Sequence, residues 1–260
     1  MPVRRPAGMK NTTMFYLFNT YLYVPLFNAL IFLYEKASFG DLGIAIILLT
    51  ILVRIVLYPF FYKGARDQAI MQKIAPAIKE LQKKYKDDKQ RQTTEMMALY
   101  KAHEVNPFSA FFLLLVVQLP ILLAMFKVFR TGLKTMPQDI LYSFVPHVQT
   151  LNFSFLGIID LSQRNMILIL ITAMAQYYQA KLALPKSDKA FKDLEMAEMM
   201  GRQMMVMGPI LTVMVLMTMP SAIALYWLVT TLFSVAQQVI INKKINIVKD
   251  HGKLVVTGDN

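Results

Sequence analysis

Arg54 stands near the middle of an apolar run, Leu42 to Tyr62 (LGIAIILLTILVRIVLYPFFY), with Thr50 and Tyr58 one helical turn to either side. At spacings i, i+4 and i+8 the three share one helix face. The run is about the ~20 residues a helix needs to cross a bilayer. An Arg at that depth costs roughly 2.5–3.5 kcal/mol on insertion scales, so it calls for a partner. The 16 Asp and Glu residues all fall in connections, at run boundaries or in the tail, so none meets Arg54 at spanning depth. A lone guanidinium in such a place captures charge: it faces water inside the membrane, or an acidic group brought by another molecule. Bond-making chemistry is not indicated. There are no cysteines, and the 3 histidines (His103, His147, His251) are too far apart for a metal motif. No paired carboxylates and no Ser/His/Asp set occur at spanning depth. We therefore expect no metal, no cofactor and no enzyme.

Other polar residues recur at helical spacing inside apolar runs. Thr172, Gln176 and Gln179 form one stripe; Trp227, Thr230, Thr231, Ser234, Gln237 and Gln238 form another; Gln118 sits alone in its run. Any one stripe is explained by hydrogen bonds between membrane helices. Taken with Arg54, they point to a hydrated cavity bordered by Thr50, Arg54, Gln118, Thr172, Gln176, Thr230 and Ser234, because polar groups at bilayer depth need protein or water partners.

The elements that must position these residues follow from composition. The chain has 260 residues, 56% of them hydrophobic, and reads as an integral membrane protein with spans at 42–62, 108–130, 164–184, 203–219 and 221–241. The formal charge is +12, and its placement argues for a membrane rather than DNA. Lys63 to Lys101 holds 10 basic residues, Lys181 to Arg202 holds 5, and the tail 242–260 adds Lys243, Lys244, Lys249 and Lys253. The connections between them are poor in Lys and Arg, which is the positive-inside pattern. It places the insert 63–107, the loop 185–202 and the C-terminus in the cytoplasm. The connection 131–163 then lies outside.

Within 63–107, Met71, Ile74, Ile78, Leu81 and Tyr85 recur at coiled-coil spacing. A break follows at Lys86-Asp87-Asp88-Lys89, then a second helical stretch from about Gln90 to His103. This reads as an antiparallel helical hairpin, bent at Pro76. The segment 1–41 contains the run Met14 to Tyr34, long enough to span. Its Asn19, Thr20, Pro25, Asn28 and 4 tyrosines fit the membrane surface equally well. Arg4, Arg5 and Lys10 favour a cytoplasmic start and a sixth span; no small-residue cleavage site follows, so no cleaved signal is expected. Nine of the 19 methionines lie between Met196 and Met219, as core filler or as an adaptable apolar surface.

Several segments in this order resemble the YidC membrane-protein insertase family and its mitochondrial and chloroplast relatives: YVPLFNALIFLY, DLGIAIILLTILVRIVLYPF, IAPAIKELQKKYKDDKQ, MMALYKAHEVNPF, QLPILLAMFKVF, DLSQ and MPSAIALYWLV followed by QQ. The resemblance covers about residues 20–242. It implies an all-α fold: a five-transmembrane-helix insertase core with a cytoplasmic antiparallel hairpin and a groove open to cytoplasm and lipid but closed outward. Arg54 would lie in the groove, with 14–34 as an amphipathic helix on the outer surface. The family's contact positions fall on Leu119 and Leu122 beside Gln118, on Trp227, and on Gln176 or Gln179. The chain departs from the family at Phe111-Phe112, where many relatives carry a proline-containing stretch, and it has no lipoprotein cysteine or large periplasmic domain.

The expected function is ATP-independent insertion of nascent membrane proteins from the bacterial inner membrane's cytoplasmic side into the lipid bilayer. A ribosome or targeting receptor would meet the hairpin and basic tail, and the Sec translocon is a further expected partner. An anion transporter using Arg54 as its selectivity charge is the alternative, although no inverted repeat supports it.

Overall fold

The computed structural model describes residues 13–148, 150–184, 196–250 and 253–257. The Arg4–Arg5–Lys10 segment and the loop lysines Lys186, Lys189 and Lys192 lie outside the described residues. Eight helical segments account for most of the rest: α1 Met14–Ala37, α2 Leu42–Val56, α3 Tyr58–Lys84, α4 Lys89–Ala102, α5 over 109–135, α6 Met166–Ala183, α7 Met196–Leu216 and α8 Ser221–Lys244. Two short antiparallel hairpins complete it. Ser154–Phe155 (β1) pairs with Ile159–Asp160 (β2), and Asn246–Asp250 (β3) with Lys253–Thr257 (β4).

Among the described residues five helices are long and apolar enough to cross a membrane: Met14–Ala37, Leu115–Thr135, Met166–Ala183, Met199–Leu216 and Ser221–Lys244. The chain is an all-α, multi-pass membrane protein. The run 42–62 differs from the single straight span read from the sequence. Its helix stops at Val56, and the axis turns by 73° into α3. The reason is Pro59, which has no N–H to give to the Ile55 carbonyl and whose ring would strike it. Leu57 leaves helical geometry (φ −95°, ψ 11°), its N–H still bonds to Val53, and Phe60 and Phe61 restart the helix on the Leu57 carbonyl. The run at 108–130 is also irregular: π-helical turns at Leu113–Gln118 and Val128–Gly132 interrupt α5.

α8 is the central element. It packs against α6 and α2 along its length and against α3 near its C-terminal end, while α1 covers α2. Phe27, Leu30, Ile31, Leu42, Ile46, Leu49, Met125 and Ile169 are fully buried in this core. A second cluster sits at the hairpin base, where Ala69, Ile70 and Ile74 of α3 meet Val105, Ile241 and Ile245. α3 and α4 pack on one another across the 85–88 turn, with Asp88 capping α4 through the Arg91 N–H (2.9 Å) and Gln92 bonding back to the Gln82 carbonyl (2.8 Å). Pro76 lies on the exposed side of α3, and the helix continues through it.

The polar residues of α1 have a specific use. The Asn28 side chain donates to the carbonyls of Val24 (2.8 Å) and Ile140 (2.9 Å) and accepts from the Tyr142 N–H (2.7 Å). The Tyr34 hydroxyl accepts from the Asn152 N–H (2.9 Å). These bonds clamp the connection 136–160 over α1. Asp41 does the same at the start of α2, accepting from Ile44 N–H as the N-cap and from Leu156 N–H in the β1–β2 turn. Gly43 lets Phe155 close over this corner, since a Cβ at Gly43 would fall on the Phe155 ring.

Candidate functional site

Because α2 ends early, Arg54 lies in its last turn, where free carbonyls favour a cation. The side chain is only 5% exposed. One guanidinium nitrogen donates to the Thr230 carbonyl of α8 (3.2 Å). The group lies 4.0 Å from the centre of the Phe61 ring and 5.9 Å from that of Phe233. The bend at Leu57 places Phe61 there, by folding the first turn of α3 back over the end of α2. Among the described residues no carboxylate comes within ion-pair distance of Arg54; Asp67, on α3, lies 4.0 Å from Arg66 instead.

Tyr226 completes the arrangement. It is buried on α8 one turn before Thr230, and its side chain comes close to those of Thr230, Gln118 and Arg54. Gln118 of α5, Arg54 of α2, and Tyr226 and Thr230 of α8 therefore meet, joining three separate elements. Tyr226, Phe61 and Phe233 were not picked out from the sequence. Tyr226 stands one turn before Thr230 on the same face of α8, which is the signal that was available. Phe61 carried none, since its position depends on the bend.

The polar stripe of α8 runs from this point to the hairpin base. Ser234 donates to the same Thr230 carbonyl (3.0 Å). Gln237 is buried with its amide nitrogen unbonded, and Gln238 reaches Asn242 (2.9 Å) and the Ala65 carbonyl of α3 (3.4 Å). Asp67 lies buried nearby on α3 with neither carboxylate oxygen hydrogen-bonded. On α6, Gln176 is half-buried and its amide oxygen has no partner; Gln179 is half-buried. Gln72 of α3 ties to the Leu182 carbonyl at the same end (2.9 Å).

Two of the threonines serve the helix bundle. Thr50 is 1% exposed and donates to the Ile46 carbonyl (2.7 Å). Thr172 is fully buried, and its hydroxyl contacts the carbonyls of Leu168 (2.7 Å) and Ala224 (3.3 Å), joining α6 to α8. Leu119 is exposed, while Leu122 and Trp227 are half-buried against the core. Four methionines of α7 face outward: Met200, Met204, Met207 and Met214 are exposed. Leu115, Val116, Leu119 and Leu123 of α5 present a second exposed apolar face.

Comparison with known proteins agrees with this architecture. The family model described as "60Kd inner membrane protein" matches residues 33–249. The chain is 34% identical over 241 residues to a membrane protein insertase YidC of Wolinella succinogenes, covering 90% of this chain but 39% of that protein. It is 34% identical over 219 residues to a protein of the same name in Helicobacter pylori, covering 84% of this chain and 36% of the relative. With the Fusobacterium nucleatum protein of that name it shares 33% identity over 227 residues, which is 86% of this chain and 98% of the relative. The chain thus spans about two fifths of the longer relatives and nearly all of the shorter one. An anion transporter has no counterpart among these three.

Proposed function

Since this chain belongs to the 60Kd inner membrane protein family, we propose that it is a membrane-protein insertase core, working in the bacterial inner membrane on nascent clients. The observation that carries the reading is Arg54: a buried cation with no carboxylate partner among the described residues, held at the head of a polar stripe that leads to the hairpin base. A short acidic or polar client tail supplies the missing anion. Arg54 attracts it, while Tyr226, Gln118, Thr230 and Ser234 offer hydrogen bonds along the way. Buried polar atoms are nearly always paired, so the unbonded amide atoms of Gln176 and Gln237 support water reaching in from the hairpin end.

The client's apolar helix moves along Leu119, Leu122, Trp227 and the exposed methionines of α7, whose flexible side chains suit varied sequences. It leaves sideways into lipid, gaining roughly 25 cal/mol for each Å² of apolar surface removed from water. No nucleotide is consumed. The concentration of basic residues in α3, α4 and the tail supports a cytoplasmic side for them, and there a ribosome, a targeting receptor or the Sec translocon is the proposed partner.

Site-specific photocrosslinking tests the reading. Photoreactive residues at Leu122 and Trp227 should form adducts with the apolar helix of a stalled nascent client in membranes. One at Lys36, next to the clamped outer connection, should not. Absence of client adducts, together with anion flux through reconstituted protein, would reject the insertase in favour of a transporter.

A further inference from the structure

At the end of the bundle away from the hairpin, three cations from two places in the chain gather around one cavity. Arg130 and Lys134 come from the last turns of α5, and Arg164 from the turn before α6. With Ser162, Gln163 and Thr218 they line a space of about 360 Å³. α8 starts here at Ser221 and ends at Lys244 near the hairpin base, ~36 Å away at 1.5 Å per residue. The cavity therefore lies where the apolar lengths of α5, α6 and α8 all stop, at the depth of lipid headgroups.

Its frame is cross-braced. The Gln163 carbonyl accepts from both the N–H (2.8 Å) and the hydroxyl (2.6 Å) of Ser221, and Ala222 N–H bonds to the Leu161 carbonyl (3.1 Å). Arg164 donates to the Met217 carbonyl (3.1 Å). Two long helices, α6 and α8, begin at this frame, so their positive dipole ends add to the field. The first amides of α8 are already taken by carbonyls, which leaves the cationic side chains as the donors for a ligand.

The nearest acid in sequence, Asp160, is turned into its own loop. It accepts from the Ser162 hydroxyl (2.6 Å) and N–H (2.8 Å), which hold its carboxyl below the usual carboxylate range. Among the described residues no carboxylate lies within 4.0 Å of Arg130, Lys134 or Arg164. Exposed apolar side chains adjoin the lining residues in sequence: Met166 and Ile167 follow Arg164, and Met217 precedes Thr218.

We propose that this cavity binds the phosphate of an anionic phospholipid headgroup. Two guanidinium forks and an ammonium suit phosphate oxygens, and the bordering apolar residues receive the acyl chains, which a free phosphate would not use. The site is distinct from Arg54 and independent of the insertase reading.

The test is native mass spectrometry of the purified full chain, titrated with phosphatidylglycerol, phosphatidylcholine or inorganic phosphate. Phosphatidylglycerol should bind in preference to phosphatidylcholine. Arg164→Gln and Lys134→Gln should each weaken it about five-fold, the effect of one basic residue near an anionic membrane. Arg164→Lys should retain most of the binding, and Lys86→Gln on the hairpin turn should change nothing. Lys134 has no hydrogen bond to lose among the described residues, so its variant separates binding from loop damage at Arg164. Undiminished phosphatidylglycerol binding in Lys134→Gln and Arg164→Gln would overturn the proposal. So would inorganic phosphate binding at the same residues without any preference between the two lipids.

Discussion

Replacing Arg54 by Met separates charge from packing, because Met keeps an unbranched stem beneath Phe61 and loses the guanidinium. The charge-assisted bond to the Thr230 carbonyl contributes about 1.5–3 kcal/mol. Stacking with Phe61 at 4.0 Å adds about 0.5–2 kcal/mol, and the position at the end of α2 about 0.3–1 kcal/mol. Against these stands the cost of holding an Arg at bilayer depth, roughly 2.5–3.5 kcal/mol. The two sides nearly cancel, so Arg54→Met should change stability by no more than about 3 kcal/mol and Tm by less than about 10 °C. Capture of a client carboxylate is another matter. A charge pair ~6 Å apart at an effective dielectric of ~20 is worth about 3 kcal/mol, or roughly a hundred-fold in rate or occupancy. The assay is insertion of paired clients with acidic or neutral outer tails into proteoliposomes, alongside thermal denaturation. Arg54→Met should slow the acidic client by about two orders of magnitude and the neutral one little, while Arg54→Lys stays close to wild type. Equal insertion of the acidic client by wild type and Arg54→Met, or a fall in Tm well beyond 10 °C, would refute the reasoning.

Three further outcomes are expected. Gly43→Ala drives a Cβ into the Phe155 ring and should cost about 1–3 kcal/mol by overpacking; Gly43→Ala with Phe155→Ala should recover part of that in a double-mutant cycle, and strict additivity would contradict the contact. Asn28→Leu leaves the Tyr142 N–H and Ile140 carbonyl without partners and should lower stability by about 1–3 kcal/mol for each group left unpaired, with faster proteolysis of the connection 136–160. His103 is buried with one ring nitrogen unbonded, and burial holds its pKa below the ordinary 6.5. Its unfolded form therefore binds the proton first: its contribution to stability is full above pH 6.5 and is lost as pH falls below that value. Amide protection factors at the hairpin base, corrected for the base-catalysed intrinsic exchange rate, should be lower at pH 5 than at pH 8, and His103→Leu should flatten that dependence.

Much of the architecture was legible because bilayer-spanning helices announce themselves by length and apolarity. The runs at 108–130, 164–184 and 221–241 all appear as helices within a few residues of those bounds. What the sequence obscured were the places where the backbone departs from a straight helix. Pro59 marked the end of α2, but hydropathy carries through it from Leu42 to Tyr62 and so hid the break. The π-helical turns of α5 have no Pro or Gly at their start. Asn28 looked like a polar intrusion in α1, and two of its three partners are a carbonyl and an amide more than a hundred residues away. At the candidate site, Arg54 and Thr230 were visible as polar residues in apolar runs. Tyr226 and Phe61 were not, because aromatic residues are ordinary there and only the bend and the α2–α8 packing bring them to the guanidinium.

Side-specific labelling of single cysteines tests the central claim most directly, since the chain has no native cysteine. Gln118, Gln176, Thr230, Ser234 and Gln237 should react, as cysteines, with a membrane-impermeant thiol reagent added on the hairpin side, and resist it from the other. Thr172, packed between α6 and α8, should resist both. Labelling of the five positions from the far side, or from neither, would contradict a polar groove around Arg54 that opens only toward the hairpin.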